Sequence, residues 1–392
     1  MITILQITPA YKPAYFYGGP TLSVSKLCEE LHKTELQVKV LTTTANGTTE
    51  LPVSTSVPNK VAQVDVYYYK RLTKDHTHFS PSLIFNLIKM IRENKKDNPG
   101  QLVIHIHSWW NTIAILSCLT SLLYKIPVVL SPRGMLTPYT WSNRNSFYKN
   151  IIHKLLGKHL LKQCLIHATT EKEKRDITKI TRSYKEILVI PNLVKYPALD
   201  HPIQSQNKSS QTLKLLFLSR IEEKKGLEIL MVALYELKTH WQLTIAGQGE
   251  SSYVSKLKDL CKQLKIEKQI TWLGEVNNTR KYEVYRNNDL LILPSHNENF
   301  GNVVIESLSV GTPVIISTEV GLAPYVLKNN LGWVTELNSQ KLAVVLAQAG
   351  GEYAKRARIR KEGPKIIRKD YTEKALVTKY TAMYQQLLKN VN

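Results

Sequence analysis

Two carboxylates flank a short glycine turn in the second half of the chain. Glu298 lies in the loop after an apolar strand, and Glu306 lies just over one turn into the helix that begins near Asn302. The backbone amides of Gly301, Asn302 and Val303 point from the start of that helix, where helix amides bind anions. We therefore expect carboxylates for sugar hydroxyls beside amides for a phosphate. The alternative is that Glu298 only favours the helix N-terminus electrostatically and Glu306 is solvated.

Two basic side chains lie in a loop that leads from an earlier strand into its helix. Arg220 and Lys225 are separated by four residues in Ser-Arg-Ile-Glu-Glu-Lys-Lys-Gly. Arg binds a phosphate through its planar fork and Lys binds it as a point charge, so the pair can hold a diphosphate. Gly226 permits a tight entry into the helix. The alternative is a solvated loop in a basic chain.

The first half of the chain offers a glycine turn and a pair of histidines. Gly18 and Gly19 follow the first strand and let the backbone approach a ligand, and Pro20 suits the first turn of a helix. An ordinary loop is the alternative. His105 and His107 face one side of a strand, as a metal pair would, but no third ligand has a convincing spacing. We expect His107 to line a cleft and His105 to be packed or partly buried.

Several familiar sites are absent from the sequence. There is no Asp-x-Asp, the carboxylate cluster that holds a divalent ion on a nucleotide diphosphate, so we expect no metal and no other cofactor. The G-x-G-x-x-G, Walker A and G-x-S-x-G patterns are also absent, which disfavours nicotinamide or flavin enzymes, P-loop proteins and hydrolases. The four cysteines form no C-x-x-C pair, which disfavours a zinc site and suits a reduced compartment.

The apolar segments of the chain favour a cytoplasmic protein. The N-terminal sequence MITILQI lacks the basic region of a signal peptide. The longest apolar stretch, Trp109 to Tyr124, is shorter than a membrane span and is interrupted by polar residues, so we expect a buried helix there.

Short apolar strands alternate with longer amphipathic segments, a pattern typical of parallel sheets with helices on both faces. The length of 392 residues favours two such domains. The predicted strands are Ile2–Ile7, Val38–Thr42, Val64–Tyr69, Leu102–Ile106, Pro127–Ser131, Leu165–Ala168 and Ile187–Ile190, then Lys214–Leu218, Gln242–Ala246, Ile270–Leu273, Leu290–Leu293 and Pro313–Ile316. The predicted organisation is a first domain at 1–190, a linker at 191–212, a second domain at 213–370, and a C-terminal helix at 371–392 that packs back toward the first domain.

The net charge of +22 favours an anionic partner, which can be a nucleotide phosphate, a nucleic acid or an acidic membrane. Basic residues are scattered rather than interleaved with stacking aromatics on one face, which disfavours nucleic acid. The segment 147–162 has the pattern of an amphipathic helix with lysines along it, so it can lie on an anionic bilayer. A surface helix with a solvated lysine face is the alternative.

Motifs over nearly all of the chain occur in one characteristic order. They are Gly18-Gly19-Pro20, His107, Ser131-Pro-Arg-Gly-Met-Leu136, Ser219-Arg220 with Lys225-Gly226, Ala246-Gly-Gln-Gly249, Trp272-Leu-Gly-Glu275, Glu298-x7-Glu306 and Gly311-Thr-Pro-Val314. With these motifs the chain resembles the family 4 glycosyltransferases, retaining enzymes of the GT-B fold. The motifs of the first half are similar to the branch that builds bacterial surface polysaccharides such as capsule and O-antigen.

The resemblance implies an α/β fold with two Rossmann-like, doubly wound domains that face each other across a cleft. It implies catalytic roles for Arg220 and Lys225 on the donor diphosphate, and for Glu298 and His107 on the donor sugar. Further donor contacts are implied for Gly18, Gly19, Gly226, Gly274, Glu275, Asn299, Phe300, Gly301, Asn302, Val303 and Glu306, with Glu306 on the ribose and the loop at 273–275 beside the nucleobase.

The resemblance also implies an activity, namely transfer of a hexose-type sugar from a UDP- or GDP-sugar to a hydroxyl of a glycan or lipid-linked acceptor, with the anomeric configuration retained. No carboxylate is an obvious covalent nucleophile, so we expect the leaving phosphate oxygen to take the proton of the acceptor hydroxyl. The alternatives are another GT-B enzyme, either an inverting transferase or a phosphorylase, and a non-catalytic protein that binds nucleic acid or sugar.

Overall fold

A computed structural model describes residues 1–55, 57–142, 146–197, 212–277 and 280–389. The chain divides into two compact units, one formed by Met1–Leu193 with Glu373–Asn392 and the other by Val194–Thr372. Most of the predicted linker, residues 198–211, lies outside the described residues. The C-terminal helix is therefore part of the first unit.

The first unit contains ten strands and eight α-helices among the described residues. Its strands are β1 (Thr3–Ile7), β2 (Gln37–Thr43), β3 (Ala45–Asn46), β4 (Thr49–Glu50), β5 (Asn59–Val61), β6 (Val64–Tyr69), β7 (Leu102–His107), β8 (Val128–Ser131), β9 (Leu165–Ala168) and β10 (Glu186–Val189). Its helices are α1 (Gly19–His32), α2 (Pro81–Asp97), α3 (Thr112–Leu123), α4 (Pro138–Ser142), α5 (Ser146–Ile152), α6 (Lys158–Lys162), α7 (Glu171–Ile180) and, at the end of the chain, α15 (Glu373–Lys389).

Eight of these strands form one sheet in the order β10-β9-β8-β7-β1-β2-β6-β5, and only β5 runs antiparallel to its neighbour. Side chains alternate between the two faces of the sheet. Leu5 and Ile104 belong to the apolar core that contains side chains of α2 and α3, such as Leu87 and Ile113. The opposite face carries the buried polar residues described below, and α15 contacts it at β7.

The helix predicted over residues 147–162 is present, but it is not a regular α-helix. A π-helical turn at His153–Gly157 joins α5 to α6. Gly157 accommodates this turn because a Cβ there would lie 3.1 Å from Nδ1 of His153. The alternation of apolar and basic residues predicted the helix but not its π-helical turn.

The second unit contains one six-stranded parallel sheet in the order β13-β12-β11-β14-β15-β16. Its strands are β11 (Leu213–Leu218), β12 (Trp241–Ala246), β13 (Ile270–Gly274), β14 (Leu290–Leu293), β15 (Val314–Ser317) and β16 (Gly332–Thr335). Its helices are α8 (Leu227–Glu236), α9 (Ser251–Gln263), α10 (Lys281–Arg286), α11 (Asn302–Ser309), α12 (Ala323–Lys328), α13 (Ser339–Gly351) and α14 (Tyr353–Asp370). This is the strand order of a dinucleotide-binding fold, with its switch point between β11 and β14.

The predicted α/β class with two Rossmann-like domains is confirmed. The twelve predicted strands are present with ends shifted by at most one residue, and the sequence analysis missed β16 and the short strands β3, β4 and β5. Within the described part of the chain, no helix has both the length and the apolar character that crossing a bilayer requires.

Candidate functional site

The switch point of the second sheet brings together the two loops in which most of the predicted site residues lie. Leu215 and Leu216 of β11 pair directly with Leu290 and Leu291 of β14. Both strands run in the same direction, so the loops that follow them emerge side by side at the carboxyl edge of the sheet. Ligands of open parallel sheets bind at such an edge.

Gly226 shows how closely these two loops pack. Its φ is +70°, and a Cβ at this position would lie 2.1 Å from the carbonyl oxygen of Pro294. The amide of His296 donates a hydrogen bond to the carbonyl oxygen of Lys224 at 2.8 Å. Only glycine fits at 226, because both the left-handed backbone and the neighbouring carbonyl exclude a side chain.

Lys225 and Glu298 form an ion pair across these two loops. The Lys225 side chain is 8% exposed and the Glu298 side chain is 22% exposed. Burial alone would raise the pKa of Glu298, but the Lys225 ammonium and then the charges of Lys224 and Arg220 outweigh burial, so the pKa is lowered. Glu298 is therefore an ionised hydrogen-bond acceptor at neutral pH, next to a cluster of cations.

Arg220 and Lys224 share a different carboxylate, that of Glu222. Arg220 Nη1 lies 2.5 Å from Glu222 Oε1, and Lys224 Nζ lies 3.4 Å from Glu222 Oε2. Burial and nearby cations lower the pKa of Lys224, although Glu222 opposes the shift. The loop after β11 thus carries three cations within reach of two carboxylates.

The helix α11 begins directly after the loop of Glu298, as the sequence predicted. Gly301 is its N-cap with φ +96°, and Asn302 and Val303 are its first residues. Asn299 is half-buried in the same loop. Phe300 is 2% exposed, and its ring packs against the ring of Tyr371, with 6.2 Å between the two ring centroids. Of this predicted donor-binding set, the Phe300 side chain belongs to the core, so only its backbone is available to a ligand.

Glu306 is buried, so the alternative of a solvated glutamate is wrong. Its Oε1 lies 2.7 Å from Lys281 Nζ, and its Oε2 accepts a hydrogen bond from the Tyr285 hydroxyl at 3.0 Å. Burial and the Glu306 carboxylate raise the pKa of Tyr285. Both carboxylate oxygens already have protein partners, so a ribose hydroxyl would have to use the lone pairs that remain.

The last predicted positions of this unit, Gly274 and Glu275, lie at the end of β13, the edge strand of the sheet. Gly274 has φ +69° with open space around its Cβ position. Glu275 Oε2 accepts a hydrogen bond from Gln248 Nε2 at 2.8 Å. Two strands separate this loop from β14. The proposed contact of this loop with a nucleobase stays a prediction.

In the first unit, Gly18 and Gly19 lie at the start of α1, next to Pro20 in its first turn. Gly18 has φ +62° and is the N-cap. Ser23, one turn further, accepts a hydrogen bond from Arg133 Nη1 at 3.2 Å. The glycine turn therefore leads into a helix as predicted, and a guanidinium lies beside its first turn.

The polar face of the first sheet holds a buried hydrogen-bond network that begins at Ile190. The carbonyl oxygen of Ile190 can only accept, so His167 Nε2, at 2.8 Å, carries a proton. His167 Nδ1 must then accept from Ser131 Oγ at 2.6 Å, and Ser131 Oγ accepts from His105 Nε2 at 2.7 Å. His105 Nδ1 in turn accepts from the Tyr384 hydroxyl at 2.8 Å.

The network continues from α15 to the end of β7. The Tyr384 hydroxyl accepts from Gln6 Nε2 at 3.3 Å, and Gln6 Oε1 accepts from His107 Nε2 at 2.7 Å. His107 Nδ1 accepts from Arg133 Nε at 3.2 Å. Every member is satisfied only when His105 and His107 are neutral, each in one tautomer. The donors and acceptors of these hydrogen bonds therefore all point one way, from the Arg133 guanidinium to the carbonyl oxygen of Ile190.

The structure differs from the expectation for His107 in how exposed the side chain is. Its side chain lies at the end of β7 as predicted, but the residue is 2% exposed and both ring nitrogens are hydrogen-bonded. Burial, then His105 and Arg133, lowers the pKa of His107 well below its ordinary value. The ring is enclosed because Gln6 and Arg133 close around it, which the strand pattern does not reveal. His105 is buried, as expected.

Several residues of these networks escaped the sequence analysis. Lys281 and Tyr285 are four residues apart on α10, so both face Glu306. Glu222 lies between Ser219-Arg220 and Lys225-Gly226, the two parts of one motif. Its ion pairs with Arg220 and Lys224 depend on the shape of the loop, which the motif does not reveal. Among the residues that the structure describes, no three His, Cys, Asp or Glu side chains are grouped as a metal site would require.

Comparison with known families supports the fold. Residues 17–195 match the family described as Glycosyltransferase Family 4, and residues 200–366 match the family described as Glycosyl transferases group 1. An uncharacterised glycosyltransferase of Methanocaldococcus jannaschii is 33% identical over 132 residues, which is 33% of this chain and 33% of that protein. A D-inositol 3-phosphate glycosyltransferase of Pseudarthrobacter chlorophenolicus is 23% identical over 335 residues, 81% of this chain and 78% of that protein.

Solved structures show the same fold at low sequence identity. The sucrose-phosphate synthase of Thermosynechococcus elongatus has a TM-score of 0.76 and 18% identity, with both chains fully covered. The Anabaena protein HepE, solved with UDP and glucose, has a TM-score of 0.75 and 17% identity over 98% of this chain and 100% of that one. The two Rossmann-like units and the two family matches define the class. The chain belongs to the glycosyltransferases of GT-B fold.

Proposed function

We propose that the chain transfers a hexose from a UDP-sugar to a hydroxyl of a glycan or lipid-linked acceptor, with retention of the anomeric configuration. The observation that carries this proposal is the group of cations at the switch point of the second sheet. Lys225 pairs with the ionised Glu298, which precedes the N-cap of α11 by three residues, and the charge of Arg220 also lowers the pKa of Glu298. Cations and amides stabilise a diphosphate, and a carboxylate accepts hydrogen bonds from sugar hydroxyls.

The choice of UDP rests on what structural neighbours bind. HepE was solved with UDP and with UDP-glucose. The predicted donors were UDP- and GDP-sugars, and these neighbours favour the uridine nucleotide. A glucose-type donor is the first to test for the same reason.

The proposed reaction needs no protein nucleophile. The bond between the anomeric carbon and the β-phosphate oxygen breaks, and the acceptor oxygen bonds to the anomeric carbon on the same face. The acceptor proton moves to the departing phosphate oxygen. Arg220 and Lys225 stabilise the charge that develops on the diphosphate, and such preorganised charges are usually the largest catalytic contribution. Glu298 is unsuited as a nucleophile because it is held in an ion pair with Lys225.

The proposed reaction also needs no metal ion. In this proposal, Arg220 and Lys225 supply the positive charge that a divalent ion supplies in enzymes with an Asp-x-Asp motif. We expect turnover to be unchanged by a chelator and to be unaffected by added Mg²⁺ or Mn²⁺.

A donor and acceptor panel tests the proposal. The full chain is incubated with UDP-glucose, UDP-galactose and GDP-mannose, and with acceptors that include oligosaccharides, polyprenyl-diphosphate sugars and D-inositol 3-phosphate. Release of UDP with formation of an α-linked product from an α-linked donor supports retention. A β-linked product would assign an inverting transferase, and phosphate-dependent cleavage of a glycan would assign a phosphorylase.

We further propose that the first unit binds the cytoplasmic face of an anionic membrane through the segment from α5 to α6. Phe147 and Leu155 are 69% and 74% exposed, and Ile151 and Ile152 are also exposed. Lysines of the same segment, Lys154, Lys158 and Lys162, are exposed as well. Exposed apolar side chains interleaved with lysines suit the boundary between headgroups and acyl chains of an anionic bilayer.

Vesicle flotation tests the membrane proposal. The wild-type chain should float with vesicles that contain phosphatidylglycerol and should stay at the bottom with pure phosphatidylcholine vesicles. Leu155→Asp should abolish flotation, whereas Leu123→Asp, which changes an equally exposed leucine at the end of α3, should leave it intact. Equal effects of the two substitutions would refute the assignment of this segment.

A further inference from the structure

Glu222 has an arrangement that the proposed function does not explain. Its two carboxylate oxygens face two different cations, Arg220 Nη1 at 2.5 Å and Lys224 Nζ at 3.4 Å. It is also the residue before the short 3-10 turn at Glu223–Lys225, so the backbone holds it beside both cations. A carboxylate thus neutralises part of the cluster that the ligand phosphates would use.

The two ion pairs of this loop differ in how easily a ligand can replace the carboxylate. In the pair of Lys225 and Glu298 the side chains are 8% and 22% exposed. In the group of Arg220, Glu222 and Lys224 each side chain is slightly more than a third exposed, at 37%, 34% and 37% respectively. Partly exposed ion pairs contribute little to stability. The Glu222 group can therefore open at little cost.

We propose that Glu222 is an internal counter-ion that competes with the diphosphate of the ligand for Arg220. In the ligand-free chain Glu222 holds the guanidinium. When the ligand binds, phosphate oxygens replace the carboxylate on Arg220, and Glu222 keeps only Lys224 as its partner. The inference rests on the proposed function, because it assumes that a diphosphate binds at this loop.

The consequence is that Glu222 weakens the binding of anions. The chain must break the Arg220 contact before a phosphate can form its own, and the displaced carboxylate remains a negative charge close to the ligand. Removing the charge should therefore tighten binding of a diphosphate by about 3- to 10-fold. A ligand without phosphate should gain nothing. Salt should shrink the difference, since charges on exposed side chains are screened.

The test compares two neighbouring glutamates that differ in their contacts. Glu222→Gln removes the bridging charge. Glu223→Gln makes the same change one residue later, at an exposed side chain that forms no ion pair with any residue that the structure describes. Titration calorimetry of the full chain uses UDP, inorganic pyrophosphate and uridine, each at low and at high salt. Glu222→Ala serves as a second variant, and circular dichroism with thermal unfolding checks that all variants are folded.

We expect Glu222→Gln and Glu222→Ala to bind UDP and pyrophosphate about 3- to 10-fold more tightly than the wild type at low salt. Glu223→Gln should bind both anions within about twofold of the wild type, and uridine should be unaffected in every variant. Equal gains for Glu222→Gln and Glu223→Gln would overturn the inference, because net charge alone would explain them. Weaker binding by Glu222→Gln would also overturn it, since Glu222 would then position Arg220 for the ligand.

The outcomes separate this inference from the proposed function. If the wild type binds UDP and substitutions at 222 have no effect, only the inference fails. If UDP does not bind but pyrophosphate binds more tightly to Glu222→Gln, the inference stands and the uridine donor is refuted. If neither anion binds any variant, both fail.

Discussion

The carboxyl edges of the two sheets carry polar residues of opposite kinds. In the first unit, the network from Arg133 to Ile190 consists of neutral groups apart from its single guanidinium, and its histidines are buried. In the second unit, the loops after β11 and β14 hold charged groups, paired as Lys225 with Glu298 and as Arg220 with Glu222. The two edges therefore differ in their chemistry, neutral and hydrogen-bonded in one and ion-paired in the other, although both belong to Rossmann-like sheets.

This difference between a neutral network and a set of ion pairs indicates which edge can respond to a charged ligand. A hydrogen-bond network in which every bond runs in one direction is rigid, because changing any member leaves another unsatisfied. A group of partly exposed ion pairs can exchange a carboxylate for a phosphate with little loss. We therefore propose that the second edge binds anions and that the first edge holds β7, β8, β9 and α15 in place.

The largest expected effect concerns a charge of the second unit that is structural rather than ligand-binding. Lys281→Met leaves the buried Glu306 carboxylate without its cation, so we expect a loss of about 3–5 kcal/mol in the free energy of unfolding. Lys268→Met, at an exposed side chain, should change it by less than about 0.5 kcal/mol. Urea unfolding measures both. A loss below about 1 kcal/mol for Lys281→Met would mean that Glu306 finds compensation elsewhere.

The neutral network of the first unit should be nearly as sensitive. Ser131→Ala removes the hydroxyl between His105 Nε2 and His167 Nδ1, so two buried ring nitrogens lose their partner. We expect a loss of about 2–4 kcal/mol in the free energy of unfolding. Ser142→Ala, at an exposed serine, is the control. If the two substitutions lower the free energy of unfolding by the same amount, the network does not stabilise the unit.

Lys225→Ala should lower turnover by about 10²-fold or more at saturating donor, which corresponds to about 2.7 kcal/mol of transition-state stabilisation. The physical reason is the loss of one preorganised charge at the diphosphate. Steady-state release of UDP measures it, with Lys268→Ala as the matched control. Turnover near that of the wild type would remove Lys225 from the mechanism.

The two edges should also differ in the pH at which they lose stability. A histidine of an unfolded chain has a pKa near 6.5. Burial lowers the pKa of His167 to about 3 and lowers that of His105 well below 6.5. The unfolded chain therefore binds protons below pH 6.5 that the folded unit cannot bind. The stability of the first unit should be complete above pH 6.5 and should fall by up to about 1.4 kcal/mol per pH unit for each such histidine below it.

The second unit should resist acid longer. The pKa of Glu298 is lowered by Lys225 against the effect of burial, so its stabilising contribution is present above the ordinary glutamate pKa and is lost only as the pH falls below it. Urea unfolding at pH 7.5, 5.5 and 4.5, with hydrogen exchange detected by mass spectrometry, locates the loss. Equal destabilisation of both units at pH 5.5 would contradict the comparison.

Much of the fold follows from local patterns in the sequence. Apolar runs located the strands to within one residue, and the succession of strands and helices gave the two parallel sheets. The predicted neighbours Lys225 and Glu298 do meet, because loops that follow adjacent parallel strands emerge at one edge. The strand β16 (Gly332–Thr335) was missed although β14, which is equally short, was predicted. Its sequence Gly-Trp-Val-Thr begins with glycine, which disfavours strands, and lacks the continuous aliphatic run of β14.

The partners inside each site could not be predicted, since they depend on how elements pack. Glu306 finds Lys281, 25 residues earlier, only because α10 lies against α11. His105 receives its hydrogen bond from Tyr384, 279 residues away on α15. The same packing encloses His107, which is why the sequence suggested an accessible histidine where the structure has a buried one.

Titration of UDP into the chain tests the central claim most directly. The double substitution Arg220→Met with Lys225→Met removes the two cations assigned to the diphosphate, and Lys256→Met with Lys268→Met removes two exposed lysines of the same unit as the control. Calorimetry should show a dissociation constant at least about 100-fold higher for the first pair and within about twofold of the wild type for the second. Equal affinity for UDP in both double variants would show that the anion binds elsewhere.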